Sequence, residues 1–131
     1  IGRIQLKRLD DWLVRRRAIA ERYRTAFEGL EGLVVPAVRP GTQHAWHQYC
    51  LLAEDPTGLR AALEEANIDS RIYYATPIHR QQVYADHPQF NADLPVTDDV
   101  THRLVAIPVH HQMTDDEVER VVDAVQASFV S

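Results

Sequence analysis

Lysine is nearly missing from this chain. Of its 14 basic residues only Lys7 is a lysine, and the rest are arginine. Any chemistry that needs a side-chain amine as nucleophile or tether must therefore use that one position. Cysteine is as scarce. The lone Cys50 cannot form an internal disulfide, which fits a reducing compartment, and a cytoplasmic location is expected. Five glycines are too few and too scattered for a phosphate-cradling loop, because none fall in a GxGxxG or GxxxxGK pattern. No run of about 18 apolar residues could form a membrane helix, and no signal-peptide pattern opens the chain. The net charge of −5 speaks against a nucleic-acid partner.

What is present is an ordinary globular mixture: 131 residues, 45% hydrophobic and 25% charged, enough for one compact core. Ile4, Leu9, Trp12, Leu13, Ile19, Tyr23 and Phe27 recur at three- and four-residue steps, predicting one long amphipathic helix over 3–29. Gly29 and Gly32 stop it. No capping residue precedes this helix, so the start at Ile1-Gly2-Arg3 reads as a point inside a longer helix. The Arg15-Arg16-Arg17 cluster on it is expected to be a solvated face.

Leu33-Val34-Val35 is a short strand candidate, and residues 45–53, rich in aromatic and large apolar side chains, read as a central strand. Asp55-Pro56 supplies a helix cap and a proline at the first helical position, opening a helix to about Ala66. Residues 70–75 form the next strand candidate, broken by Pro77. Residues 85–95 are loop-like, a helix starts near Thr97, and 105–107 form a brief strand closed by Pro108. Thr114-Asp-Asp-Glu117 is a capping box ahead of a helix whose buried face carries Val118, Val121, Val122, Val125 and Phe129. Three or four short strands between helices predict a single α/β (α+β) layer packing, with residues 1–30 as a connecting helix and 31–131 as a small domain.

Seven histidines raise a metal hypothesis, with stoichiometric zinc as its test. His44 and His47 are three apart on a predicted strand, so they point to opposite faces. His110 and His111 are adjacent, and neither pair has a partner at a recognised ligand spacing. No metal site is expected. Cys50 lies mid-strand among apolar neighbours, where a thiol is inert. The densest candidate is residues 71–84, where a strand end runs into a proline-marked turn carrying Tyr74, His79 and Gln81. His79 can donate or accept near neutral pH, and Tyr74 offers a hydroxyl and a flat face. Tyr73, Tyr74 and Tyr84 are equally compatible with packing the edge of the core.

Four blocks in order give the chain a wider likeness. Ile4-Gln-Leu-Lys-Arg-Leu-Asp10 leads to Arg15-Arg-Arg-Ala-Ile-Ala-Glu-Arg-Tyr23, followed by His44-Ala-Trp-His-Gln-Tyr49. Tyr74-Ala-Thr-Pro-Ile-His-Arg-Gln81 with Tyr84 comes next, then Leu104-Val-Ala-Ile-Pro-Val-His110 and Met113-Thr-Asp-Asp-Glu-Val118. Together they resemble the C-terminal region of the DegT/DnrJ/StrS family of sugar aminotransferases. Tyr73 and Ala75 depart from it, standing where a histidine and a proline are common.

The resemblance implies the small C-terminal domain of fold-type I aminotransferases: a long helix, then a three- to four-stranded sheet packed with helices. It also implies a pyridoxal 5'-phosphate enzyme that moves an amino group from a glutamate-type donor to a keto group of a nucleotide-linked sugar. Homodimers are the family's usual assembly. The cofactor's lysine, pyridinium partner and phosphate cup lie upstream of the matching region, so no catalytic or cofactor-binding residue is expected here. His79 is implied as a substrate contact, with Tyr74 and Gln81 beside it. A non-catalytic sugar- or protein-binding module of the same descent is the alternative.

Overall fold

The computed structural model describes residues 2–84, 86–87 and 92–129. Part of the expected loop at 85–95 therefore lies outside the described residues. Helix α1 (Gly2–Leu6) and helix α2 (Leu9–Phe27) follow one another across a turn at 7–8, so the long helix is divided. No residue of α1 is buried, and nothing in its packing enforces continuity. In α2 the core stripe is confined to the second half, where Ile19, Ala20, Tyr23 and Phe27 follow one another at one-, three- and four-residue steps. Ile4 and Leu9, which share the periodicity, stay exposed. Gly29 ends the helix at φ +89°, a left-handed conformation that costs glycine nothing.

Three antiparallel strands form one sheet, ordered β1 (Leu33–Val34), β2 (Tyr49–Ala53), β3 (Leu104–Ile107). Leu33 faces Ala53 across the first pair, and Tyr49 faces Ile107 across the second. Along β2 burial alternates, with Tyr49, Leu51 and Ala53 turned into the core and Cys50 and Leu52 half-exposed. Helix α3 (Pro56–Glu65) and helix α5 (Asp115–Ala127) pack with α2 around that face. The Tyr23 ring lies 5.6 Å from Phe27 and 5.2 Å from Tyr49, centroid to centroid, at the middle of this core. Val118, Val121, Val122 and Val125 add α5, each contributing about 1.5–3 kcal/mol of burial.

Both predicted caps form. Asp55 accepts the Gly58 amide at 2.9 Å, and Thr114 and Glu117 satisfy each other's backbone amides. Helix α4 (Pro95–Arg103) begins two residues before Thr97, because Pro95 itself takes the first helical position.

Three further expectations are corrected. The central strand starts at Tyr49, not at 45: Trp46 sits at φ +49° and its amide bonds back to His44 Nδ1 at 2.9 Å, which turns the chain out of the extended form. The strand expected over 70–75 reduces to one antiparallel bridge between Arg71 and Ala106, with bonds of 3.0 and 2.7 Å. Beyond it Tyr73 and Tyr74 are exposed, so no buried alternation sustains pairing. The arginine cluster on α2 is not a solvated face. Arg15 donates to Met113 O at 2.7 Å, and Arg16 Nη1 donates to Trp46 O and Val109 O, each at 2.7 Å. Arg17 reaches His44 O at 3.4 Å.

Candidate active site

Arg71 fixes the start of the 71–84 segment at the free edge of β3. Pro77 then caps a 3₁₀ turn at Ile78–Arg80, and a second follows at Gln82–Tyr84. This arrangement curls Tyr74, His79, Gln81 and Tyr84 toward Thr97 and Thr101 of α4, enclosing an open cavity of about 680 Å³. Thr97 and Thr101 are one turn apart, so both hydroxyls stand on the same face of the helix. Tyr74, His79 and Gln81 are thus brought to one cavity. Tyr74 is 75% exposed and stands at its rim, while the His79 side chain is 7% exposed and forms part of its wall.

His79 is held from α4. Its Nε2 lies 3.0 Å from Asp98 Oδ1, and Arg80 Nη2 donates to Asp98 Oδ2 at 2.7 Å. The Arg80 guanidinium, and His79 after it, hold the Asp98 carboxyl below the usual carboxylate range, so it is ionised at neutral pH. In the sequence Asp98 reads only as an acid directly after Thr97, in the first turn of the helix expected there. Its place opposite His79 depends on the fold and left no local trace. Thr97 and Thr101 were also missed as lining residues, although their four-residue spacing on a helix was readable.

Other cavities also carry polar groups. One of about 610 Å³ lies between α2 and the 35–46 segment, with Arg17, Glu21, Arg24 and His44 on its walls. Arg24 is taken up there by Glu21 and Glu28 at 2.6 Å each. Another, of about 350 Å³, has His47, Arg71, Tyr73 and His110 around it. Among the described residues no three His, Cys, Asp or Glu side chains are grouped to hold a metal ion. Cys50 is half-buried, and burial pushes its thiol up, away from the reactive thiolate.

The sequence profile of the DegT/DnrJ/EryC1/StrS aminotransferase family matches residues 1–126. This chain belongs to that family. Among DegT/DnrJ/EryC1/StrS relatives it is similar to the spore coat polysaccharide biosynthesis protein SpsC of Bacillus subtilis. Identity is 34%, over 96% of this chain and 34% of that protein. The dTDP-3-amino-3,4,6-trideoxy-alpha-D-glucose transaminase of Streptomyces venezuelae is 31% identical, over 95% of this chain and 33% of that one. The crystal structure of DesV from S. venezuelae in complex with a ketimine intermediate superposes at a TM-score of 0.91 with 28% identity. It covers 98% of this chain and 35% of that structure's. The chain spans about a third of the length of the curated relatives it matches. The architecture expected from the resemblance is therefore the observed one, with three strands and a divided first helix.

Within this DegT/DnrJ/EryC1/StrS chain, Lys7 lies exposed on the turn between α1 and α2 and lines none of the cavities described above. A tethered cofactor needs an amine inside a pocket. Among the described residues Lys7, the one lysine, is not so placed.

Proposed function

We propose that this chain forms the C-terminal domain of a pyridoxal-phosphate-dependent aminotransferase acting on a keto group of a nucleotide-linked sugar. A glutamate-type donor supplies the nitrogen, and the whole protein works as a cytoplasmic homodimer. The contribution of this chain is substrate contact through His79, Tyr74 and Gln81, not the covalent chemistry. One observation carries this reading: a single cavity gathers those three residues with Thr76, Thr97 and Thr101. A wall of that kind, with few charges and many hydrogen-bonding groups over apolar surface, suits a hydroxylated ring. Two further features support it. Ile4, Leu6 and Val14 are exposed large hydrophobics on α1 and α2, an apolar surface of the sort that another domain covers. No described helix is long and apolar enough to cross a membrane.

The test uses the complete reading frame that contains these residues. The purified protein is expected to carry pyridoxal phosphate and to move nitrogen from glutamate to a dTDP-linked keto sugar. In that protein His79→Ala is expected to lower kcat/KM for the sugar by roughly ten- to a hundredfold while sparing the reaction with glutamate, as loss of a contact to one substrate should. A protein that binds the sugar nucleotide yet transfers no amino group refutes the enzyme and leaves the binding module. Equal losses in both half-reactions refute the assignment of His79 to the sugar.

A further inference from the structure

Asp98 stands in the first turn of α4, and its carboxylate serves two neighbours in the 76–84 segment. Oδ1 meets His79 Nε2 at 3.0 Å, and Oδ2 takes Arg80 Nη2 at 2.7 Å. The Asp98 side chain is 22% exposed, so the pair at His79 is only partly wet. An ionised carboxylate offers lone pairs and no hydrogen. The hydrogen between Asp98 and His79 must therefore belong to Nε2. In a neutral imidazole that leaves Nδ1 bare, an acceptor with its lone pair in the ring plane. Among the described residues Nδ1 makes no hydrogen bond, and His79 lines the 680 Å³ cavity.

We propose that Asp98 is a positioning residue that holds His79 in its Nε2–H tautomer, so that Nδ1 receives a hydrogen from whatever occupies the cavity. The site then selects a ligand group with a hydrogen to give, a hydroxyl or an ammonium, over a bare carbonyl at that point. The consequence for a sugar ligand rests on the function proposed above; the tautomer does not. A purely mechanical role is the competing account, in which Asp98 merely ties down the 3₁₀ turn through Arg80. The two accounts part at Arg80. Replacing Arg80 removes the tie and leaves the His79–Asp98 bond, whereas replacing Asp98 removes both.

The tautomer is read directly by two-bond proton–nitrogen correlation NMR on this chain, at a pH where the ring is neutral. The expected result is a protonated Nε2 and a bare Nδ1 at His79, with a slowly exchanging Nε2 hydrogen. Arg80→Ala is expected to keep that signature. Asp98→Ala is expected to speed exchange of the Nε2 hydrogen and mix the tautomers, and Asp98→Glu to restore the pattern in part. An Nδ1–H ring in the unaltered chain overturns the proposal, as does an Asp98→Ala spectrum identical to it. Equal disturbance by Arg80→Ala and Asp98→Ala also overturns it, in favour of the mechanical role. In the complete enzyme, Asp98→Ala is expected to lower kcat/KM for the sugar by no more than His79→Ala does, at most about ten- to a hundredfold. Arg80→Ala is expected to change it far less. If the NMR signature holds while the complete protein shows no amino transfer, the proposed function fails and the tautomer assignment stands.

Discussion

Arg16→Ala is the substitution whose cost the structure sets most plainly. Arg16 Nη1 donates both its hydrogens, one to Trp46 O and one to Val109 O, each at 2.7 Å, with His47 O at 3.4 Å behind them. The bonds tie α2 to the chain just before β2 and just after β3, across 30 and 93 residues of sequence. A hydrogen bond to a charged group contributes about 1.5–3 kcal/mol, and the carbonyls left behind are only partly reached by water. Two such bonds at the lower end give a loss of about 3 kcal/mol. For a domain of this size each kcal/mol moves the melting temperature by roughly 3–5 °C, so Arg16→Ala should melt about 10 °C lower. Arg17→Ala is the matched control. Its one bond, at 3.4 Å to His44 O, is long, and the loss should stay within about 0.5 kcal/mol. Urea and thermal unfolding of both variants against the parent decide it. If Arg16→Ala is as mild as Arg17→Ala, the clamp is not a structural element and the arginines are the solvated face that the sequence suggested.

The remaining predictions concern the buried phenols and the acids. Tyr23 donates to Pro108 O at 3.0 Å, whereas Tyr49 Oη is buried without a partner among the described residues. Tyr23→Phe should therefore cost about 1 kcal/mol, and Tyr49→Phe should be neutral or stabilising by up to about 1 kcal/mol; urea unfolding that ranks them the other way refutes the assignment. Burial pushes the Tyr49 phenol up to about 12, so near-ultraviolet titration should find it ionising well after an exposed tyrosine. Arg80 lowers the Asp98 carboxyl, Arg22 lowers Glu119, and the Thr114 amide lowers Glu117. A carboxyl depressed in the folded state stabilises fully above its unfolded pKa, and that contribution is lost as pH falls through the folded one. The urea midpoint should hold from neutrality to about pH 5 and fall below it, where unfolded carboxyls begin to take up protons first. A midpoint that rises on acidification contradicts the pairing of these acids.

The elements that could be read from the sequence are those whose cause is local. Asp55-Pro56 and Thr114 through Glu117 hold their own caps within three residues, and Gly29 stops α2 by its own conformation. The strands misjudged at 45–48 and 70–75 have causes elsewhere. Arg16 claims the carbonyls of Trp46 and His47 from another helix, and the partner of Arg71 is Ala106, with one register position to offer. The same division holds at the cavity. Tyr74, His79 and Gln81 were legible because one short stretch carries all three. Asp98 was not, since an acid directly after Thr97 already had a sufficient explanation in the dipole of the helix expected there.

The 72–84 segment buries none of its residues, so no core side chain of its own anchors it. Its upstream end is the Arg71 bridge, and its turn is held from α4 by the bonds of His79 and Arg80 to Asp98. An isolated surface ion pair is usually worth little, because its loss is made good by water and by the freed side chains. Here the bonded imidazole is largely shut off from water, and the bonds stand where packing would otherwise fix the chain. The shape of the cavity therefore depends on a carboxylate more than on hydrophobic contact. A polar tie of that kind fixes which ring nitrogen carries the hydrogen, which apolar packing cannot do. The same side chain thus sets both where His79 stands and what it can accept.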